Sequence, residues 1–181
     1  MVSHTEVFAP GSLPITATRL CLLDPADGHT HEFFELGLLT GGSAIHMSEA
    51  GTTPLRAGRL VVVGPGGWHA YWPDLALYLV VIRVGTGLLR STLGWLGSLG
   101  GIGYLFDTSC PPTLPGVIVA DLDQAVTEAI SPTISLPAAQ PPATTTVAAL
   151  HCLARLLDVL RELGGPVSSA GRAAREYSPG K

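Results

Sequence analysis

From residue 15 to about residue 84, short runs of Val, Ile, Leu, Thr and aromatic residues alternate with Gly, Pro and Asp punctuation. Few folds accommodate that rhythm. Residues 15–20 (ITATRL) alternate apolar and polar side chains as a half-buried strand does, and residues 21–23 prolong the run until Asp24-Pro25 breaks it. Residues 25–28 then read as a turn. Residues 33–39 form a second strand that ends at Gly41-Gly42, and residues 44–47 and 53–55 make a hairpin-like pair about Gly51. Residues 60–63 are a short apolar strand. After the Gly64-Pro65-Gly66-Gly67 corner, His69-Ala70-Tyr71 opens another, and residues 75–84 make the longest. Many short strands at close spacing predict a closed or sandwiched antiparallel sheet.

The pattern changes after Gly85. Thr86 reads as the cap of a short helix with Leu88, Leu89, Leu93 and Leu96 on its apolar face. Asp121 and Gln124 read as the capping pair of a helix reaching Ile130, and the Pro-, Ala- and Thr-rich residues 132–144 as a linker. The strongest helical pattern spans about residues 145–163. There Val147, Leu150, Leu153, Leu157 and Leu160 share one face, opposite His151, Arg155, Asp158 and Glu162. The 3-4-3 spacing of Leu150, Leu153, Leu157 and Leu160 is that of a coiled-coil seam, and Leu156 and Leu163 widen the face. A face so wide predicts burial on two sides, against the β-domain and against a second copy. The chain thus divides into a β-domain over 1–84, a helical appendage over 85–165 and a polar tail over 166–181.

The chemistry is concentrated in two of the strand-like segments. In GHTHEFFELGLLTGG, His29, His31 and Glu35 follow the spacing H-x-H-x-x-x-E, and GRLVVVGPGGWH adds His69. Side chains two apart on a strand share a face, so His29, His31, Phe33 and Glu35 are expected to project together. Ionisable groups aimed into a barrel need a metal, a ligand or one another. Imidazoles with a carboxylate suit Mn, Fe, Ni, Cu or Zn, and spacing does not choose among these metals, a metal-free ligand pocket and a self-satisfied polar network. Tyr71 shares the parity of His69 and is placed to line the pocket, whereas Trp68 and Trp72 point the other way. His46, on a hairpin-like segment, reads as a surface or edge histidine. Arg83 is either an anchor for an anionic ligand or a paired strand arginine.

Composition narrows the function classes. The chain has 181 residues, enough for one well-buried domain with an appendage, and 46% of them are hydrophobic. Its formal net charge is -4, its one lysine is Lys181, and no basic stripe with interleaved aromatics suggests direct nucleic-acid binding. No apolar run approaches the roughly 20 residues that span a bilayer, and MVSHTEVFAPGS lacks signal-peptide order, so the cytoplasm is expected. Cys21, Cys110 and Cys152 are scattered and without a C-x-x-C pair, which reads as buried structural thiols.

The two chemical segments resemble the two cupin motifs. His29, His31, Glu35 and Gly42 match the first, and Gly58, Gly66 and His69 the second; Leu23, Gly64 and Pro73 depart from the pattern. In metal-binding cupins the corresponding three histidines and glutamate are the ligands. More narrowly, HEFFELGLLTGGSAIHM followed by PLRAGRLVVVGPGGWHAYWP resembles the N-terminal sensor domain of AraC-type transcriptional regulators. That resemblance implies a mainly β, cupin-like double-stranded β-helix or jelly-roll barrel followed by a helical dimerisation segment. It also implies a small-molecule effector, no catalytic residue, and DNA binding through two helix-turn-helix units, expected beyond Lys181. The other activity that the cupin likeness allows is that of a stand-alone metal-dependent enzyme, a dioxygenase or isomerase.

Overall fold

Two long strands organise the molecule. In the computed structural model, which describes residues 1–99, 103–106, 117–122 and 142–162, β3 (Phe33–Ser48) and β6 (His69–Gly85) run antiparallel along their whole length. β1 (Ile15–Leu22) pairs with the C-terminal half of β6, and β2 (Ala26–His29) with its N-terminal end. β5 (Arg59–Val63) pairs with the first half of β3, and β4 (Gly51–Arg56) with the second. β7 (Val117–Asp121) joins the free side of β5. The order is β1-β6-β3-β5-β7, with β2 and β4 branching from β6 and β3. The chain is mainly β and antiparallel, as its rhythm predicts.

Each long strand changes partner where its register breaks. β3 advances two residues against one of β6 between Leu39 and Gly41, and β6 carries the surplus between Leu77 and Pro73. Such bulges bend a strand and let its halves serve two walls. Gly42 makes the bend possible. Its φ is +77°, and a Cβ there would lie 1.8 Å from the Ala76 carbonyl oxygen, so no other residue fits without moving the backbone. The single extra residue also reverses the phase of β3. Glu35 and Leu39 face inward before the bulge, Ala44 and His46 after it. Sequence reasoning ended a strand at Gly41-Gly42; the glycines instead turn a continuous one.

Two apolar layers result. Leu39, Ala44, Leu55, Val61, Val63, Tyr71, Leu77, Leu79 and Val81 meet inside the folded sheet. The opposite face, with Phe34, Leu36, Leu60, Val62, Val80, Ile82, Ile15 and Ala17, is covered by α2 (Thr86–Arg90), by two 3-10 turns that supply Leu96 and Phe106, and by α3 (Pro142–Glu162). Ahead of the sheet lies an N-terminal arm with one helical turn, α1 (His4–Val7). Val2 bridges His31, its N–H donates to the Thr30 carbonyl at 2.7 Å, and Phe8 is buried edge-on against Phe33 at 5.5 Å.

Several local expectations are corrected. Residues 26–28 are strand rather than turn, because His69 and Tyr71 offer β2 a pairing edge. α2 is capped by the Gly85 backbone position with no side-chain bond, so Thr86 is its first residue and not its cap. Asp121 ends a strand; its carboxylate takes both Nε and Nη2 of Arg59, at 2.7 and 3.1 Å, which pins β7 to β5. Cys152 is buried, but Cys21 is exposed, since the cover over Ile15 and Ala17 does not reach it. Cys110, the predicted helix after Asp121 and most of the predicted linker lie outside the described residues.

Candidate functional site

The site forms where β2, β3 and β6 converge at one end of the folded sheet. His69 opens β6 directly opposite His29 of β2 and Ser48 of β3. Glu35 lies opposite Arg83 on β6, near the other end of that strand. His31 sits in the short link between β2 and β3, held by the Val2 bridge and by the Gly66 N–H, which donates to its carbonyl at 2.8 Å. Gly66, at φ +79°, turns the corner that brings that N–H round.

The imidazoles are close together. The ring of His69 lies 4.5 Å from that of His29, 5.3 Å from His31, 5.8 Å from His46 and 5.5 Å from the ring of Tyr71. His31, His46 and His69 are at most 1% exposed and Glu35 is 5%. His31 donates from Nδ1 to the Phe33 carbonyl at 2.7 Å and stacks on the Phe33 ring. A carbonyl only accepts, so Nε2 of His31 is left with its lone pair free. His29 is oriented likewise, with Nδ1 donating to Asp27 at 2.9 Å, but it is half-buried.

Among the described residues, His31, Glu35 and His69 offer donor atoms all within 4.8 Å of one another; His29 stands outside that group. Nε2 of His31, Nε2 of His46 and both ring nitrogens of His69 are shielded from solvent and make no hydrogen bond to a described residue. Each such group costs about 1–3 kcal/mol when left unpaired, so this end of the barrel sacrifices stability for a polar interior that the protein itself does not satisfy. Glu35 accepts from Nε of Arg83 through Oε2 at 2.9 Å, while Oε1 faces Nε2 of His69 at 3.9 Å. Arg83 is therefore a paired arginine.

Electrostatics follow burial. Desolvation lowers the pKa of His69 to about 2, and neighbouring His29, His31, His46 and Arg83 push it the same way. Burial alone lowers His46 to about 4. His31 is also lowered, chiefly by burial, against an opposing pull from Glu35. These rings are neutral near pH 7, the form that ligates metals or shares hydrogen bonds. Burial raises the Tyr71 phenol above its ordinary range, with Glu35 adding and Arg83 opposing. Tyr71 leans across the interior, its hydroxyl 3.2 Å from where a Cβ on Gly37 would be.

His46 is the residue that sequence reasoning missed. Its place on a hairpin-like segment reads as surface or edge, but the bulge at Gly42 turns it inward, opposite Tyr71 at 5.0 Å between rings. The signal was the Gly-Gly pair inside a strand-like run. Trp72 is exposed, and Trp68 packs over Gly28, so neither tryptophan lines this interior. Of the leucines expected to form a dimer seam, Leu153 is 3% exposed and belongs to the chain's own core, which removes it from any partner-facing surface. Leu157 packs partly against that core, Leu150 is 36% exposed, and the side chain of Leu160 is outside the described residues.

A family described as the AraC-like ligand binding domain matches residues 24–176. No curated protein matches the sequence. Similar solved structures include a Cupin 2 conserved barrel domain protein from Salinispora arenicola, 16% identical with TM-score 0.40, covering 48% of this chain and 76% of that one. Others are a predicted oxalate decarboxylase from Thermotoga maritima, 18% identical, TM-score 0.35, covering 38% and 64%, and a protein from Neisseria meningitidis, 21% identical, TM-score 0.36, covering 39% and 74%.

Proposed function

The chain belongs to the AraC-like ligand-binding domain family, and on that premise we propose that it is the small-molecule sensor of a transcriptional regulator. The carrying observation is the set of buried, neutral imidazole nitrogens with no protein partner. A ligand that satisfies them gains what the folded chain forgoes. The route for a response is the N-terminal arm, which lies on the site itself. Its Val2 pairs beside His31, and its Phe8 packs on the same Phe33 ring against which His31 stacks. A ligand that binds more tightly with the arm docked shifts the arm's equilibrium by that difference in affinity. In the proposed regulator the arm and α3 pass the shift to DNA-binding units attached beyond this domain, and two copies associate in the cytoplasm. Among the described residues, no helix is long and apolar enough to cross a membrane.

A second reading rests on the His31, Glu35 and His69 group. Two imidazoles and a carboxylate fit a divalent transition metal such as Fe, Mn, Ni, Cu or Zn, and the unpartnered nitrogens are the atoms such an ion would take. A bound metal would supply a Lewis-acid centre with open positions for a ligand or for the substrate of a dioxygenase or isomerase. His29, with Nδ1 held by Asp27, is placed to complete the shell only by moving inward. Arg83 withdraws one carboxylate oxygen of Glu35 from any ion.

Metal analysis of protein purified without chelator, paired with a thermal-shift screen of sugars and small aromatic acids, separates the two. The sensor reading expects a compound that stabilises metal-poor protein by about 2.7 kcal/mol at a hundred times its Kd. Stoichiometric iron or manganese with turnover of a substrate would replace it by the enzyme reading.

A further inference from the structure

His46 lies outside the His31, Glu35 and His69 group, yet it is as deeply buried as they are. Its Nε2 is closed off from solvent and bonded to none of the described residues. The residues directly across from it are Tyr71 on β6 and Thr53 on β4, and its next neighbour along β6 is His69. The described charges of the interior, Glu35 and Arg83, pair with each other, and Oε1 of Glu35 lies 3.9 Å from Nε2 of His69, so the pair borders this group. The one carboxylate described beside His46 and Tyr71 is thus Glu35, and its countercharge, Arg83, is already committed to it.

We propose that His46 and Tyr71 dock an uncharged hydroxyl group of the effector. The inference rests on the sensor reading and specifies the chemistry of its ligand. A neutral imidazole presents one N–H and one lone pair, and a phenol can donate and accept. A hydroxyl satisfies either tautomer of the ring, because it too donates and accepts. A carboxylate brings a second negative charge close to Glu35, whose countercharge Arg83 is already paired, and a methyl group leaves Nε2 as it is. Sites built to bond a hydroxyl reject analogues lacking it far more strongly than apolar pockets reject an added methylene.

The test uses matched probe triplets on common frames: phenol, toluene and benzoate, and cyclohexanol, methylcyclohexane and cyclohexanecarboxylate. Affinities are measured by calorimetry, and the His46 ring nitrogens are followed by NMR. The hydroxyl member of a triplet should bind wild-type protein at least tenfold more tightly than its partners and shift the Nε2 signal. His46→Leu should erase that preference, Tyr71→Phe should reduce it, and His46→Gln, which keeps a donor and an acceptor, should retain part. If His46→Leu does not fold, the Gln and Phe variants decide. Preference for the carboxylate member, or a hydroxyl preference that survives His46→Leu, overturns the proposal. So does failure of every hydroxyl probe while another small molecule binds, an outcome that leaves the sensor reading standing. A folded protein that binds no small molecule overturns both.

Discussion

Three imidazoles held neutral inside a barrel make the protein sensitive to acid. In the unfolded chain a histidine takes up a proton below about pH 6.5, whereas folded His46 resists until about pH 4 and His69 further still. Between those limits the unfolded state binds more protons, so stability rises with pH there, is complete above about 6.5, and falls as the medium is acidified. For His46 alone, the drop from 6.5 to about 4 corresponds to about 3 kcal/mol. The urea midpoint of metal-free protein should decline steadily from pH 6.5 to pH 4; a flat profile would show that these rings are solvated. The closeness of His31, Glu35 and His69 was legible in the motif spacing, although His31 lies in the link ahead of β3. His46 and the Arg83–Glu35 pair were not, since both depend on register across strands distant in sequence.

The elements that matter most are the bulged β3 and the arm. Gly42→Ala puts a methyl group onto the Ala76 carbonyl at a positive φ, so thermal unfolding should show a loss of roughly 2 kcal/mol or more. Gly51→Ala, also at positive φ but with nothing within 4 Å of its Cβ, should cost about 1 kcal/mol. Equal losses would mean that the corner is not tightly packed. The arm behaves differently, because it can lift as a unit. Phe8→Ala should speed hydrogen exchange of the Val2 amide, which bonds to Thr30, by at least tenfold while global unfolding changes little. A large fall in global stability instead would make the arm part of the core. The strands β1, β3, β4, β5 and β6 were signalled by the Gly and Pro punctuation, but β2, β7 and the strand ends were not. β3 runs through its glycines, and β7 emerges from a stretch whose role is set by the open edge of β5 and the carboxylate waiting for Arg59.

At the scale of the whole molecule, α3 has two distinct faces. Ala149, Cys152, Leu153 and Leu156 are spent on the sheet, while Val147 is 70% and Leu150 36% exposed. The amphipathic pattern was legible; which leucines served the barrel was not, because a 3.6-residue period shows a face without naming its neighbour. If two copies meet through this helix, Val147→Glu with Leu150→Glu should yield monomers of unchanged melting temperature in a sizing measurement. Leu153→Glu should unfold the chain. Dimers that persist in the double variant would place any association elsewhere. The surplus residue of β3 has a further consequence. Straightening β3 at unchanged length, with no residue bulged between Thr40 and Ser43, would rotate Ile45 inward and His46 out without altering either. Barrels of this plan can thus change what they detect through the geometry of one corner, a kind of difference that position-by-position comparison of side chains overlooks.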